Sequence, residues 1–147
     1  MTFDAVETEL LAALASHKVR CVVIGGHAAT HYGVERPVKD LDLVIDHSPE
    51  NAARVISALA TLGEGGVTVA QLSQPRKQVR IARRGCEMLT SVSVPFEDLF
   101  HASTSLDVGG VSVRVVSKDH LLRLKLDAGR PIDLADCDAL GKNEDAG

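Results

Sequence analysis

The chain has 147 residues, 45% of them hydrophobic and 24% charged, with a net charge of −4 at neutral pH. That length and balance describe one ordinary globular domain, long enough to bury about 70% of the surface its unfolded chain exposes. An acidic total with no Trp, one Tyr and three Phe excludes a general nucleic-acid coat and an aromatic stacking platform. Cys21, Cys86 and Cys137 are scattered and odd in number, so they form neither a disulfide framework nor a zinc knuckle. No apolar run approaches a membrane span and no signal peptide is visible; the expectation is a cytoplasmic protein with no membrane partner.

Residues 4–17 read as a helix: Asp4 caps it with Glu7 three residues on, and Phe3, Val6, Leu10, Leu11 and Leu14 share one stripe. Val19 to Ile24 is a β-branched run, stopped by Gly25-Gly26. His27 to Tyr32 then gives a short helix closed by Gly33. Pro37 makes 34–39 a loop that leads into a strand from Asp40 to Ile45. Ser48-Pro49-Glu50 starts a helix whose apolar side carries Ala52, Val55, Ile56, Leu59 and Leu62, with Gly63 ending it.

Glu64 to Gly66 is a turn, and Val67 to Leu72 fits a strand or a helix fragment. Gln78–Ala82 and Cys86–Val92 flank Arg83-Arg84-Gly85 as a hairpin. Phe96–Ala102 is a short helix, and Leu106–Val108 and Val111–Val116 form a second hairpin about Gly109-Gly110. Ser117 caps a helix from Lys118 to Ala128, Pro131 opens a last one from Ile132 to Leu140, and Gly141–Gly147 is a polar tail. The chain reads as a single domain over 1–140 followed by a flexible tail over 141–147. Its class is α/β (α+β), with a mixed sheet flanked by helices.

The chemistry concentrates between Ile24 and Asp46. Side chains on a strand repeat every two residues, so Leu41, Leu43 and Ile45 share one face while Asp40 and Asp42 share the other. Two acids on one sheet face repel unless a cation lies between them, and hard oxygen donors suit Mg²⁺ or Mn²⁺. Gly25-Gly26 lets the backbone approach a phosphate closely. The GxGxxG, Walker and GxSxG patterns are all absent. Glu87, beyond the hairpin turn, is the candidate third acid, since paired catalytic metals usually take three carboxylates. Arg36, Lys39, Arg76, Lys77, Arg80, Arg83 and Arg84 could form a basic rim, though a solvated face explains many of them. His27 and His31 are four apart but lack the Glu of HExxH.

Gly25-Gly26, the Arg36 loop, Asp40-Leu41-Asp42 and the Glu87 strand together resemble the nucleotidyltransferase fold of DNA polymerase β type. The likeness is to small bacterial nucleotidyltransferase-like proteins related to abortive-infection toxins. Leu121 to Asp136 is similar to that group's closing helix pair. The resemblance implies that Gly25 and Gly26 embrace a nucleoside triphosphate and that Asp40 and Asp42 bind Mg²⁺ (or Mn²⁺). Glu87 would complete the metal site or act as base. Arg36 and Lys39 would face phosphates, Lys125 would face the nucleotide, and Arg130 with Asp133 and Asp136 would line the groove or fix the last helices.

The expected reaction moves an NMP from an NTP to a hydroxyl of an RNA end, a protein side chain or a small molecule. A partner protein or oligomer would supply the surface that so short a chain lacks. Gly26, Val38 and Glu87 stand where the family often has Ser, Thr and Asp. They keep open the alternative of a catalytically silent nucleotide- or partner-binding protein, such as a member of a toxin–antitoxin pair. A metal-dependent nuclease would use similar acids.

Overall fold

The computed structural model describes the backbone of residues 1–146 and the side chains of residues 1–141. Among these residues six strands form one mixed sheet: β1 (Cys21–Ile24), β2 (Leu41–Ile45), β3 (Gln78–Ile81), β4 (Cys86–Leu89), β5 (Thr104–Val108) and β6 (Val111–Val115). Their order is β3-β4-β2-β1-β6-β5. β1 runs antiparallel to β2 and parallel to β6, β2 runs parallel to β4, and the outer pairs β3–β4 and β5–β6 are antiparallel hairpins. The α/β class with a mixed sheet and packed helices is as the sequence reads.

Among the described residues, seven α-helices and a 3-10 turn at Ala82–Arg84 complete the fold: α1 (Ala5–Ser16), α2 (Gly25–His31), α3 (Pro49–Thr61), α4 (Val69–Leu72), α5 (Phe96–Ala102), α6 (Lys118–Ala128) and α7 (Pro131–Ala146). Their caps follow the side-chain chemistry. Asp4 and Glu7 form a reciprocal capping box on α1, Ser48 caps α3 with Pro49 in its first turn, and Ser117 caps α6. Gly129 closes α6 in the left-handed region, as expected of a C-terminal glycine.

Several strand bounds shift from the sequence reading, to Cys21–Ile24, Leu41–Ile45, Gln78–Ile81, Cys86–Leu89 and Thr104–Val108, and three differences in the helices matter more. The α2 helix begins at Gly25 itself, so the glycine pair is the helix's first turn and not a stop before it. The undecided stretch 67–72 yields a single helical turn, because Thr68 and Gln71 make a second capping box. The helix α7 starts at Pro131 and continues to Ala146; the side chains of most of the tail expected over 141–147 lie outside the described residues. No described helix is long and apolar enough to cross a membrane.

Leu41, Leu43 and Ile45 are fully buried on one face of β2. On the opposite face Val44 is also fully buried, while Asp42, two residues earlier, is only partly so. The central strand β2 is therefore covered on both sides except at this one end. There, burying the backbone of the central strands fixes where the acids emerge, and the cleft opens above them.

Candidate active site

Register puts four residues in one cross-strand row. Ile24 of β1 faces Asp42 of β2, Asp42 faces Glu87 of β4, and Glu87 faces Arg80 of β3. Asp40, two residues before Asp42, adds a carboxylate to the same face. The expected third acid is thus beside the aspartate pair. It is not free, however: Arg80 Nη1 donates to Glu87 Oε1 at 2.8 Å and Gln78 Nε2 donates to Glu87 Oε2 at 2.8 Å. The same guanidinium donates to both oxygens of Asp40, at 3.3 and 3.4 Å.

Asp42 differs from its neighbours. Among the described residues no hydrogen-bond donor or ion-pair partner meets its carboxylate. Burial, then the nearby charges of Asp40 and Glu87, push its pKa up to about 6. It rests against the glycine corner: Gly25 has φ +68, and a Cβ there would run into the Asp42 carboxylate. Gly25 is therefore required twice, once by its left-handed backbone and once by the space the acid fills. At Gly26 a Cβ would lie 3.1 Å from Val38 and 3.4 Å from the Arg36 guanidinium, so the second glycine admits the loop that follows α2.

The opposite wall comes from α6 and α7. Arg36 makes a two-pronged contact with Asp136, at 2.9 and 2.7 Å, and Lys125 Nζ reaches Asp136 at 2.7 Å. Lys125 also approaches Asp133 at 3.8 Å, and Arg130 grips Asp133 at 2.6 and 3.2 Å. Lys125, Asp133 and Asp136 are all buried, with exposures of 5%, 3% and 2%. Burial pulls both acids upward, but hydrogen bonds from Arg130 to Asp133, and from Arg36 and Lys125 to Asp136, outweigh it and hold them below the usual carboxylate range. The network ties the loop after α2 to the last two helices.

Between these walls lies a cleft of about 770 Å³. Gly25, Gly26, Arg36, Lys39, Asp40, Asp42, Lys125 and Arg130 all line it; Glu87 does not. Lys39 is exposed and, among the described residues, is the one cation of the lining without an ion pair. Of the remaining cations proposed for a basic rim, Arg84 is committed elsewhere, holding Glu9, Glu64 and the carbonyl of Leu62. Arg76, Lys77 and Arg83 are outside the lining. His27 donates to or accepts from Glu7 at 2.8 Å in the interior, behind the glycine corner.

Ser91, Ser93 and Asp127 also line the cleft, and Gln78 and Arg80 serve the acids. Sequence reasoning assigned none of these residues a role at the acids. The hairpin register about Arg83-Arg84-Gly85 held the one available signal, since it sets Arg80 opposite Glu87.

The donor set fits a divalent ion in kind. Carboxylate oxygens share one sheet face, and burial with the like charges of Asp40 and Glu87 outweighs the opposing pull of Arg130 and His27 on Asp42. It does not yet make a closed site: among the described residues no three His, Cys, Asp or Glu side chains are grouped so as to hold a metal. Arg80 stands between two of the acids.

No curated protein matches this chain. A family model does, over residues 3–144, and that span takes in the glycine corner, all three acids and the closing helices. The chain belongs to the family described as "Nucleotidyl transferase of unknown function".

Proposed function

We propose that the protein transfers a nucleoside monophosphate from an NTP to a hydroxyl acceptor in a metal-dependent reaction, with Asp40, Asp42 and Glu87 as the metal-holding acids. The observation that carries this reading is Asp42: a carboxylate half-withdrawn from water, flanked by two others, with no partner of its own and facing the cleft. Uncompensated acids of this kind mark sites completed by a ligand.

Lys39, at the rim without an ion pair among the described residues, would meet the triphosphate. Arg36, Lys125 and Arg130 contribute positive potential to the same cleft while anchored by Asp133 and Asp136, so their positions are set before substrate arrives. Gly25 keeps Asp42 against the first turn of α2, and Gly26 leaves the backbone open to a close-lying phosphate. A bound Mg²⁺ would lower the acceptor hydroxyl's pKa and neutralise charge on the leaving pyrophosphate. Glu87, paired in register with Asp42, would complete the ligand set or take the acceptor's proton once released from Arg80. Positioning and charge stabilisation are what the protein itself supplies.

A second reading has its own support. The hold of Arg80 and Gln78 on Glu87 suits a protein that binds nucleotide, or a partner such as the other member of a toxin–antitoxin pair, without turnover. Incubation with labelled NTPs, Mg²⁺ and a cell extract separates the two. Label appearing on RNA, protein or a small molecule, and lost in Asp42→Asn, is the expected result. Mg²⁺-dependent NTP binding without transfer to any component would establish the silent protein instead.

A further inference from the structure

The geometry points to Arg80 as a built-in counter-ion that competes with a divalent cation for Asp40 and Glu87, so that metal enters as the guanidinium swings away. This rests on the metal-dependent reading above and adds to it a residue that the acids alone do not indicate. One nitrogen, Nη1, contacts Glu87 at 2.8 Å and Asp40 at 3.3 Å at once. The guanidinium thus already supplies positive charge to both carboxylates that a divalent cation would need.

Three features make the bridge releasable. The strand β3 is at the sheet's edge, so Arg80 has solvent beside it and no further strand to hold it. Its side chain is 48% exposed, against 16% for Glu87. Its hydrogen bonds go to these two acids and to no other group among the described residues. An exposed ion pair of this sort is weak and screened by salt. A single positive charge also leaves the three acids of this face under-compensated, which a doubly charged ion would improve. Gln78 keeps its own hydrogen bond to Glu87, so the acid stays oriented after Arg80 departs. In the metal-free protein the same bridge relieves repulsion between Asp40 and Glu87.

The test is calorimetric titration of Mn²⁺ into the full chain as wild type, Arg80→Gln, Arg80→Lys and Asp42→Asn, with Mg²⁺ titrations followed by the NMR signal of the Arg80 side chain. Arg80→Gln is expected to bind Mn²⁺ tighter, on the order of fivefold, with Arg80→Lys between it and wild type. The Arg80 signal in wild type should shift with Mg²⁺ and saturate as the metal does. Unchanged or weaker Mn²⁺ binding in Arg80→Gln, or an Arg80 signal indifferent to Mg²⁺, would overturn the inference. If Asp42→Asn has lost Mn²⁺ binding in that case, the metal reading survives and Arg80 alone has been misassigned. Equal binding in Asp42→Asn and wild type, or no binding by any variant, would remove both. Should Arg80→Gln fail to fold, the NMR titration of wild type decides.

Discussion

Two pairs of acids stand across one cleft, and they are held in opposite ways. Asp133 and Asp136 on α7 are almost completely buried, yet their pKa values are lowered, because Arg130, Lys125 and Arg36 donate to them directly. Asp40, just before β2, and Asp42, on it, are more open. Even so, Asp42 is pushed up to about 6, by burial first and then by Asp40 and Glu87. Burial is common to both regions and so cannot be what distinguishes them. The difference is the cation: the α7 acids are saturated by residues of the chain itself, while Asp42 has no such partner. The first arrangement suits a scaffold and the second a site awaiting a ligand.

The comparison breaks most visibly on the α7 side. Asp136→Ala strands Arg36 and Lys125 without their shared carboxylate, and breaking a buried ion pair costs about 3–5 kcal/mol. Urea denaturation should show a loss of that size, with a melting temperature lower by on the order of 10 °C. Gly25→Ala comes next. A side chain at φ +68 that also meets Asp42 should cost about 1–3 kcal/mol, and displacing the acid should abolish any stabilisation by added Mg²⁺ in the same melts.

Asp42→Asn should move stability the other way. The folded pKa of Asp42 lies above its unfolded value, so its proton favours the fold. That contribution is complete below about pH 4 and is lost as pH rises through about 6. After discounting for the partly exposed carboxylate, Asp42→Asn should stabilise by roughly 1–2 kcal/mol at pH 8 and by almost nothing at pH 4; paired denaturation curves at the two pH values check it. Stability that falls on making Asp42→Asn at pH 8 would mean the acid has a partner after all. The smallest effect on folding is Lys39→Gln. This exposed, unpaired cation should change stability by less than about 0.5 kcal/mol, yet weaken binding of a fluorescent NTP analogue.

How much of this was legible follows from what each feature depends on. The strand–glycine–helix–strand order and the row of acids rest on local signals: β-branched runs, Gly25-Gly26, Pro37 and a period of two, all readable along the chain. Glu87 beside Asp42 needed only the assumption that the strand after the Arg83-Arg84-Gly85 turn lies next to β2, which the parallel β2–β4 pairing bears out.

The ion network was harder. Arg36 and Asp136 are a hundred residues apart, and nothing in either local sequence says that the loop after α2 folds against α7. Lys125 was expected to face a nucleotide; it lines the cleft, but its ammonium group is held by Asp136. Whether Arg80 was rim or bridge depended on side-chain direction across a hairpin whose register only the fold supplies. The start of α2 at Gly25 was hidden because a glycine with positive φ is usually a sign that a helix ends.

The central claim is that the acids of β2 and β4 hold a divalent ion that in turn holds a nucleoside triphosphate. It is tested most directly by calorimetric titration of a non-hydrolysable NTP analogue into wild type and Asp42→Asn, each with Mg²⁺ and with EDTA. The expected result is binding by wild type that requires Mg²⁺ and is lost in Asp42→Asn. Equal binding with EDTA, or undiminished Mg²⁺-dependent binding by Asp42→Asn, would contradict it.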